Sequence, residues 1–257
     1  MSQFKLGADP EVFVAEGEAV RSIIGLIGGT KEVPMPLPLG EGFCVQEDNV
    51  ALEFNIPASG SREEFISNIV KATTFLEGVV NQTYNFNFYR ASAVSFPAEQ
   101  LQHPKALEFG CDPDFDAWTG RVNPRPVATD RNLRSCGGHV HIGYEGLDPI
   151  EVTKACDVFL GVPSVFMDDG ELRKSLYGKR GAHRRKPYGV EYRTLSNFWI
   201  FDEKLVGWVW DSVALALDAV QNGKSFDADD NAILQAINTS NKEAARYLVD
   251  KYNLLVV

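Results

Sequence analysis

Residues Asn49–Ile56 alternate without a break. Val50, Leu52, Phe54 and Ile56 fall on one side, and Asn49, Ala51, Glu53 and Asn55 on the other. Successive side chains of a strand point to opposite faces, so this segment reads as a half-buried β-strand. Three further strand candidates share with it a rarer property. Asp9/Glu11, His139/His141 and Glu191/Arg193, like Glu53/Asn55, set polar or charged residues at i and i+2, over opposite faces that are apolar (Val12 and Val14; Val140 and Ile142; Tyr192). Asp and Glu are depleted in strands, so their recurrence needs a common reason. A sheet face that simply meets water carries a mixture of Thr, Lys, Arg and Glu. Here four carboxylates and two imidazoles stand against one arginine. If the strands are neighbours the carboxylates repel, and a bound divalent cation removes that repulsion. Mostly oxygen donors with one or two imidazoles suit Mg²⁺ or Mn²⁺. A His-x-His on a strand also suits a zinc hydrolase, in which the metal activates water.

The rest of the chain fills in around those strands. The first strand is expected over Asp9–Ala15 and a second around Val20–Ile24. The Gly/Pro-rich stretch Gly25–Gly42 reads as loop, since alternate prolines remove ladder donors; its GLIGG lacks the GK[ST] ending of a phosphate loop and reads as a turn. Pro57 is expected to end the Asn49–Ile56 strand. Ser61 with Glu64 three residues on forms a capping box, opening a helix to about Val80. Asn85–Val94 reads as a strand, Glu108–Asp130 as a polar loop, and Leu133–Tyr144 as containing a strand around HVHIG. Asp148 caps a helix to about Leu160, a shorter helix covers Asp169–Leu176, and Val190–Leu195 is a strand. The C-terminal part, about residues 202–257, is helical over Asp202–Gln221, Ala228–Ile237 and Asn241–Tyr252. Trp199, Trp208 and Trp210 are expected to pack helices against the sheet. Residues 1–257 read as one α+β domain, a largely antiparallel sheet with helices on one face.

Charge bounds the function. The 257 residues carry a net charge of −10, which argues against a nucleic-acid-binding protein. Within that acidic chain, eight Lys or Arg cluster between Arg173 and Arg193, and the stretch reads as a basic loop for a small anion such as phosphate. His183 in that stretch reads as a surface residue. Cys44, Cys111, Cys136 and Cys156 are far apart with no CxxC pair, as expected of free thiols in a reducing compartment. With neither a signal-peptide pattern nor an apolar run of membrane-spanning length, a soluble cytoplasmic protein is expected.

The order Asp9-Pro10-Glu11, LEFNIP (52–57), GGHVHIG (137–143) and RRKPYGVEYRTLSNFW (184–199) resembles the carboxylate–amine ligase (amidoligase) families of the glutamine synthetase and glutamate–cysteine ligase superfamily. It is most similar to a phage-type carboxylate–amine ligase, which would place it in the host cytoplasm. The resemblance covers about residues 7–199. It implies a curved antiparallel sheet forming an active-site funnel with helices on its outer face, ATP entering one end and the substrates the other. It also implies Mg²⁺ (or Mn²⁺) and ATP as cofactors, and amide formation through an acyl phosphate. Asp9 and Glu11 match the family's acidic pair on the first strand, although here the first acid is shortened and a proline intervenes. Glu53, His139 and Glu191 match the other metal ligands. Asp48 is a further candidate, as a ligand or an amine-binding acid. Arg193 matches the arginine that meets the transferring phosphate and, with Glu53 and Glu191, is assigned to catalysis. His141 matches a position facing nucleotide or substrate, and Arg173, Arg180, Arg184 and Arg185 fall where the family binds phosphate. The implied partners are a small-molecule or peptide carboxylate and an amine, with neither nucleic acid nor membrane; an oligomer is compatible with this. A metal-dependent hydrolase on the same sheet face, and a non-catalytic binding protein retaining the fold, are the competing readings.

Overall fold

A computed structural model describes residues 3–107, 114–124 and 130–257. In chain order the strands are β1 (Lys5–Ala8), β2 (Glu11–Glu16), β3 (Ala19–Arg21), β4 (Met35–Pro36), β5 (Cys44–Asp48), β6 (Ala51–Ser59), β7 (Asn87–Tyr89), β8 (Ala93–Ser95), β9 (Phe115–Asp116), β10 (Leu133–Ser135), β11 (Val140–Gly143), β12 (Ala182–Lys186) and β13 (Gly189–Tyr192). The helices are α1 (Arg62–Tyr84), α2 (Pro104–Leu107), α3 (Pro149–Cys156), α4 (Val162–Ser164), α5 (Glu203–Gln221), α6 (Asp230–Thr239) and α7 (Lys242–Tyr252). Eleven strands form one sheet with the main order β3-β2-β6-β1-β11-β13-β12-β9, and β8 and β10 form a separate pair. Every described pairing of the large sheet is antiparallel. The chain is therefore α+β, as its strand and helix patterns predict.

The sheet's apolar face meets the helices. Val12, Val14, Leu52, Phe54, Ile56, Val140, Ile142, Val190 and Tyr192 join one core with Phe65, Ile69 and Leu76 of α1 and Val209 and Val213 of α5. Trp199 is fully buried, stacks on Phe65 and donates from Nε1 to the Gly138 carbonyl at 3.1 Å. The helix starts follow local chemistry. Ser61 accepts from Glu64 N, Asp148 from Ile150 N, Asp202 from Lys204 N and Asn241 from Glu243 N. The Glu64 carboxylate reaches Gly60 N at 2.6 Å, one residue before the position a strict capping box uses. No helix among the described residues is long and apolar enough to cross a membrane.

Several local expectations are corrected by tertiary pairing. The first strand is a line of two, β1 and β2, broken at Asp9-Pro10, and both pair with β6. Pro57 does not end β6. The register Leu6↔Ser59 and Ala8↔Ile56 leaves one extra residue in β6, and at such a bulge proline's missing N–H is tolerated. Strand β5 was absent from the pattern reading, and Met35–Pro36 adds a short strand to its outer edge. The expected strands Val20–Ile24, Asn85–Val94 and Val190–Leu195 are shortened or divided, whereas the strand expected around HVHIG is β11, with β10 as a second strand in the same stretch. The helix after Asp148 gives way at Asp157–Gly161 to a π-helical turn, and Asp169–Leu176 contains only a 3-10 turn at Arg173–Ser175. The basic stretch is not all loop, because Ala182–Lys186 is a strand, and His183 on it is buried rather than at the surface. The GLIGG turn is filled from within: Ile27 N and Gly28 N donate to the Glu47 carboxylate. Cys44, Cys136 and Cys156 are free thiols. Of the expected loop Glu108–Asp130, residues 108–113 (with Cys111) and 125–129 lie outside the described residues, and Phe115–Asp116 within the rest is strand β9.

Candidate active site

The four polar pairs come together on one sheet face. Glu11 lies directly opposite Glu53, and Gln46 of β5 opposite Glu53 on the other side. Glu191 lies opposite both His141 and Arg184. Asp9, at the break between β1 and β2, bridges the two halves: its backbone N–H reaches the His139 carbonyl. Two trios result. Asp9, His141 and Glu191 each bring a potential ligand atom within 4.8 Å of the others, and so do Glu11, Asp48 and Glu53.

The electrostatics of the trios differ. Burial first, then repulsion from Asp48, pushes Glu11 up to about 8. Burial and the charges of Asp9, Glu11 and Asp48 raise Glu53 well above the usual carboxylate range, and burial raises Asp48. Lys31 and Arg193 lower Asp48 against its burial, and Gln46 Nε2 donates to Glu53 at 2.8 Å. Glu191 is the opposite case. Burial and the nearby Asp9 would raise it, but Arg193, His139 and His141 hold it down at about 2. Lys186 Nζ sits 2.7 Å and Arg184 3.5 Å from its oxygens, and Arg193 donates to Oε1. Asp9 is likewise held low: burial opposes its charge, while His141 and His139 favour it.

Do these residues fit a divalent cation? Asp9 Oδ1 and His141 Nε2 are buried and 3.0 Å apart, and a carboxylate oxygen with an imidazole nitrogen is a donor set that a divalent cation accepts. The all-carboxylate trio suits a hard cation that prefers oxygen, and its raised proton affinities follow from burial and from the acids' mutual repulsion. Both trios fit.

The predicted residues are not all in the predicted places. His139 belongs to neither trio. Its Nδ1 lies 3.3 Å from Arg193 Nη1, which can only donate, so Nδ1 accepts; its Nε2 is packed so closely on Gly137 that a Cβ there would sit 2.3 Å away. Burial, then the Arg193 charge, lowers its pKa to about 4, leaving it neutral. His141 instead presents Nε2 to Asp9 and Nδ1 to the Tyr188 hydroxyl. Arg193 is buried between Glu191, His139 and Asp114, the last at 3.4 Å. Of the basic residues, Arg184 shares the Glu191 face. Arg185 pairs with Val190, on the opposite parity, and is exposed. Arg180 is outside the site, paired with Asp230 and lying over the Trp118 ring. Arg173 is buried, donating to the carbonyls of Thr194 and Arg193. Gln46, Lys186, Asp114 and Tyr188 were not foreseen. The alternation of Cys44-Val45-Gln46-Glu47-Asp48, ending at Asn49 with φ 54°, is the hairpin signal that could have found β5.

Two cavities flank this face. One of about 320 Å³ is bordered by Glu11, Asp48, Asp114, His139, Arg173 and Arg193. The other, of about 800 Å³, is bordered by His141, Tyr144, Tyr188, Pro187, Ile56 and Lys5.

Residues 129–254 match the model of the family described as phage phiEco32-like COOH.NH2 ligase-type 2. No curated protein matches the chain. The matched segment carries His139, His141, Arg184, Glu191 and Arg193; Asp9, Glu11 and Glu53 precede it and are joined to it through the pairing of β1 and β11. Over residues 129–254, then, the chain is similar to the phage-type carboxylate–amine ligases.

Proposed function

We propose that the protein is an ATP- and Mg²⁺-dependent ligase that forms an amide from a carboxylate and an amine through an acyl phosphate. The observation that carries this reading is the pair of ligating trios on one sheet face, each beside its own cavity, with Arg193 between them. Asp9, His141 and Glu191 hold one cation, and Glu11, Asp48 and Glu53 another. Bound there, divalent cations supply positive charge against the phosphates and the reacting carboxylate. The larger cavity, with its two tyrosines, Pro187 and Ile56, takes the nucleotide. The smaller, lined by both acids and arginines, takes the carboxylate and the amine.

In the first step a carboxylate oxygen bonds to the γ-phosphorus while the bond to the β-bridging oxygen breaks and ADP leaves. The protein's part is positioning and charge stabilisation. The planar fork of Arg193, oriented by Glu191 and His139, meets the transferring phosphoryl group, and Arg184 adds charge from β12. In the second step the amine nitrogen bonds to the acyl carbon and phosphate leaves. The amine must reach that carbon unprotonated, so a carboxylate at the small cavity takes its proton. His139, neutral and buried, holds Arg193 without competing for charge.

The test is ADP release in the presence of Mg²⁺ with panels of carboxylates and amines. Turnover that needs both a carboxylate and an amine, and is lost in Glu53→Ala, supports the reading. Carboxylate-independent ATP hydrolysis, or full activity in Glu53→Ala, would sink it.

A further inference from the structure

We infer that Tyr188 is a positioning residue, a wall of the larger cavity whose hydroxyl sets the tautomer and orientation of His141 and so ties that cavity to the Asp9–His141–Glu191 trio. The inference rests on the reading of that trio as a cation site.

Tyr188 occupies the turn between β12 and β13, and the turn is rigid. Gly189 has φ +147°, and a Cβ there would lie 2.2 Å from the Ile142 carbonyl oxygen and 2.9 Å from the Tyr144 ring. Tyr144 N donates to the Tyr188 carbonyl at 3.0 Å. Pro187 removes a further degree of freedom just before it. The phenol is thus delivered from a fixed backbone. Its ring is 46% exposed on the cavity side, while its hydroxyl is hydrogen-bonded to His141 Nδ1.

The chemistry of the imidazole makes that bond consequential. A neutral ring has one N–H and one lone pair. Nε2 is the buried nitrogen beside Asp9, 3.0 Å from its Oδ1. It can ligate a cation only if the proton is on Nδ1. With a cation on Nε2 the proton sits on Nδ1, where the phenol oxygen can accept it; that bond favours the ligating tautomer and stops the ring from rotating away. A phenol is neutral near neutral pH, so the hydroxyl keeps its own hydrogen. With its oxygen accepting from His141, that hydrogen is left to be donated into the cavity, to an oxygen of whatever lies against the ring. Partners on the far nitrogen of a ligating histidine typically change metal affinity 10–100-fold when removed.

Tyr188→Phe is the test, with Mn²⁺ as the probe. Mn²⁺ binding is followed by calorimetry, and the His141 tautomer of the metal-free protein by long-range ¹H–¹⁵N NMR at pH 9. Expected are a roughly 10–100-fold weaker Mn²⁺ site, a shift of the His141 proton toward Nε2, and an unchanged circular dichroism spectrum. In His141→Asn, adding Tyr188→Phe should then cause no further loss of Mn²⁺ affinity. Unchanged affinity and tautomer in Tyr188→Phe, or an undiminished effect of that change in the His141→Asn background, would overturn the inference. If the wild-type protein binds no Mn²⁺, the cation site itself fails, and the tautomer measurement still decides whether Tyr188 governs His141.

Discussion

Glu11 on β2 and Glu53 on β6 face each other directly across an antiparallel strand pair, with Asp48 completing their group. Like charges so placed destabilise a sheet. Two acids therefore occupy cross-strand positions where apolar residues would hold the fold better, a cost that the proposed cation site accounts for.

The first prediction concerns pH. Glu11 is raised to about 8 in the folded protein from about 4.5 unfolded. The folded state thus binds more protons between those values, and stability without metal falls as pH rises through that window. One proton gives a slope of at most about 1.4 kcal/mol per pH unit. Mg²⁺ replaces the protons, so its effect on Tm should be larger at pH 8 than at pH 6. Glu11→Gln should flatten the metal-free profile. A Tm that rises from pH 6 to pH 8 without Mg²⁺ would contradict this assignment.

Arg193 is held by Glu191 and His139 in a fixed plane. Arg193→Lys keeps the charge and loses the fork. A drop of about 100-fold in ADP release is expected, on the scale of lost oriented donors at a transferring group, with Tm lowered by only a few degrees. Comparable rates in the variant and the wild type would remove Arg193 from phosphoryl transfer.

Gly137 and Gly138 separate site from scaffold. A Cβ on Gly138 would lie 2.2 Å from the Ser196 carbonyl oxygen and 2.5 Å from Trp199 Nε1, so Gly138→Ala should destabilise by about 1–3 kcal/mol, read in urea unfolding. On Gly137 the clash is with the His139 ring, so Gly137→Ala should depress turnover more than Tm. Equal effects on both observables in the two variants would refute the distinction.

Arg180 and Arg184 should behave differently. Arg180 is committed to Asp230 and Trp118, so Arg180→Ala should lower stability by about 1 kcal/mol and leave the ATP dissociation constant unchanged. Arg184→Ala removes a cation from the Glu191 face and should weaken ATP several-fold. The check is ATP titration of both proteins; weaker ATP binding in Arg180→Ala would place that residue at the phosphates after all.

What the amino-acid order determined by itself was parity and punctuation. Strand alternation is a two-residue rule, so it already placed Glu53, His141 and Glu191 opposite Leu52, Ile142 and Tyr192. Ser61, Asp148 and Asn241 marked helix starts because a cap needs only its own next few N–H groups. Tertiary structure decided everything that depended on a neighbour from elsewhere in the chain. The line of β1 and β2, and the bulge that absorbs Pro57, are set by pairing with β6. The basic stretch became a strand because β13 and β9 lie on either side of it, and that register sent Arg184 and Arg185 to opposite faces. The two histidines share parity, so no local pattern could divide their roles. They were separated by Arg193 and Gly137 packing on His139, and by Asp9 and Tyr188 flanking His141.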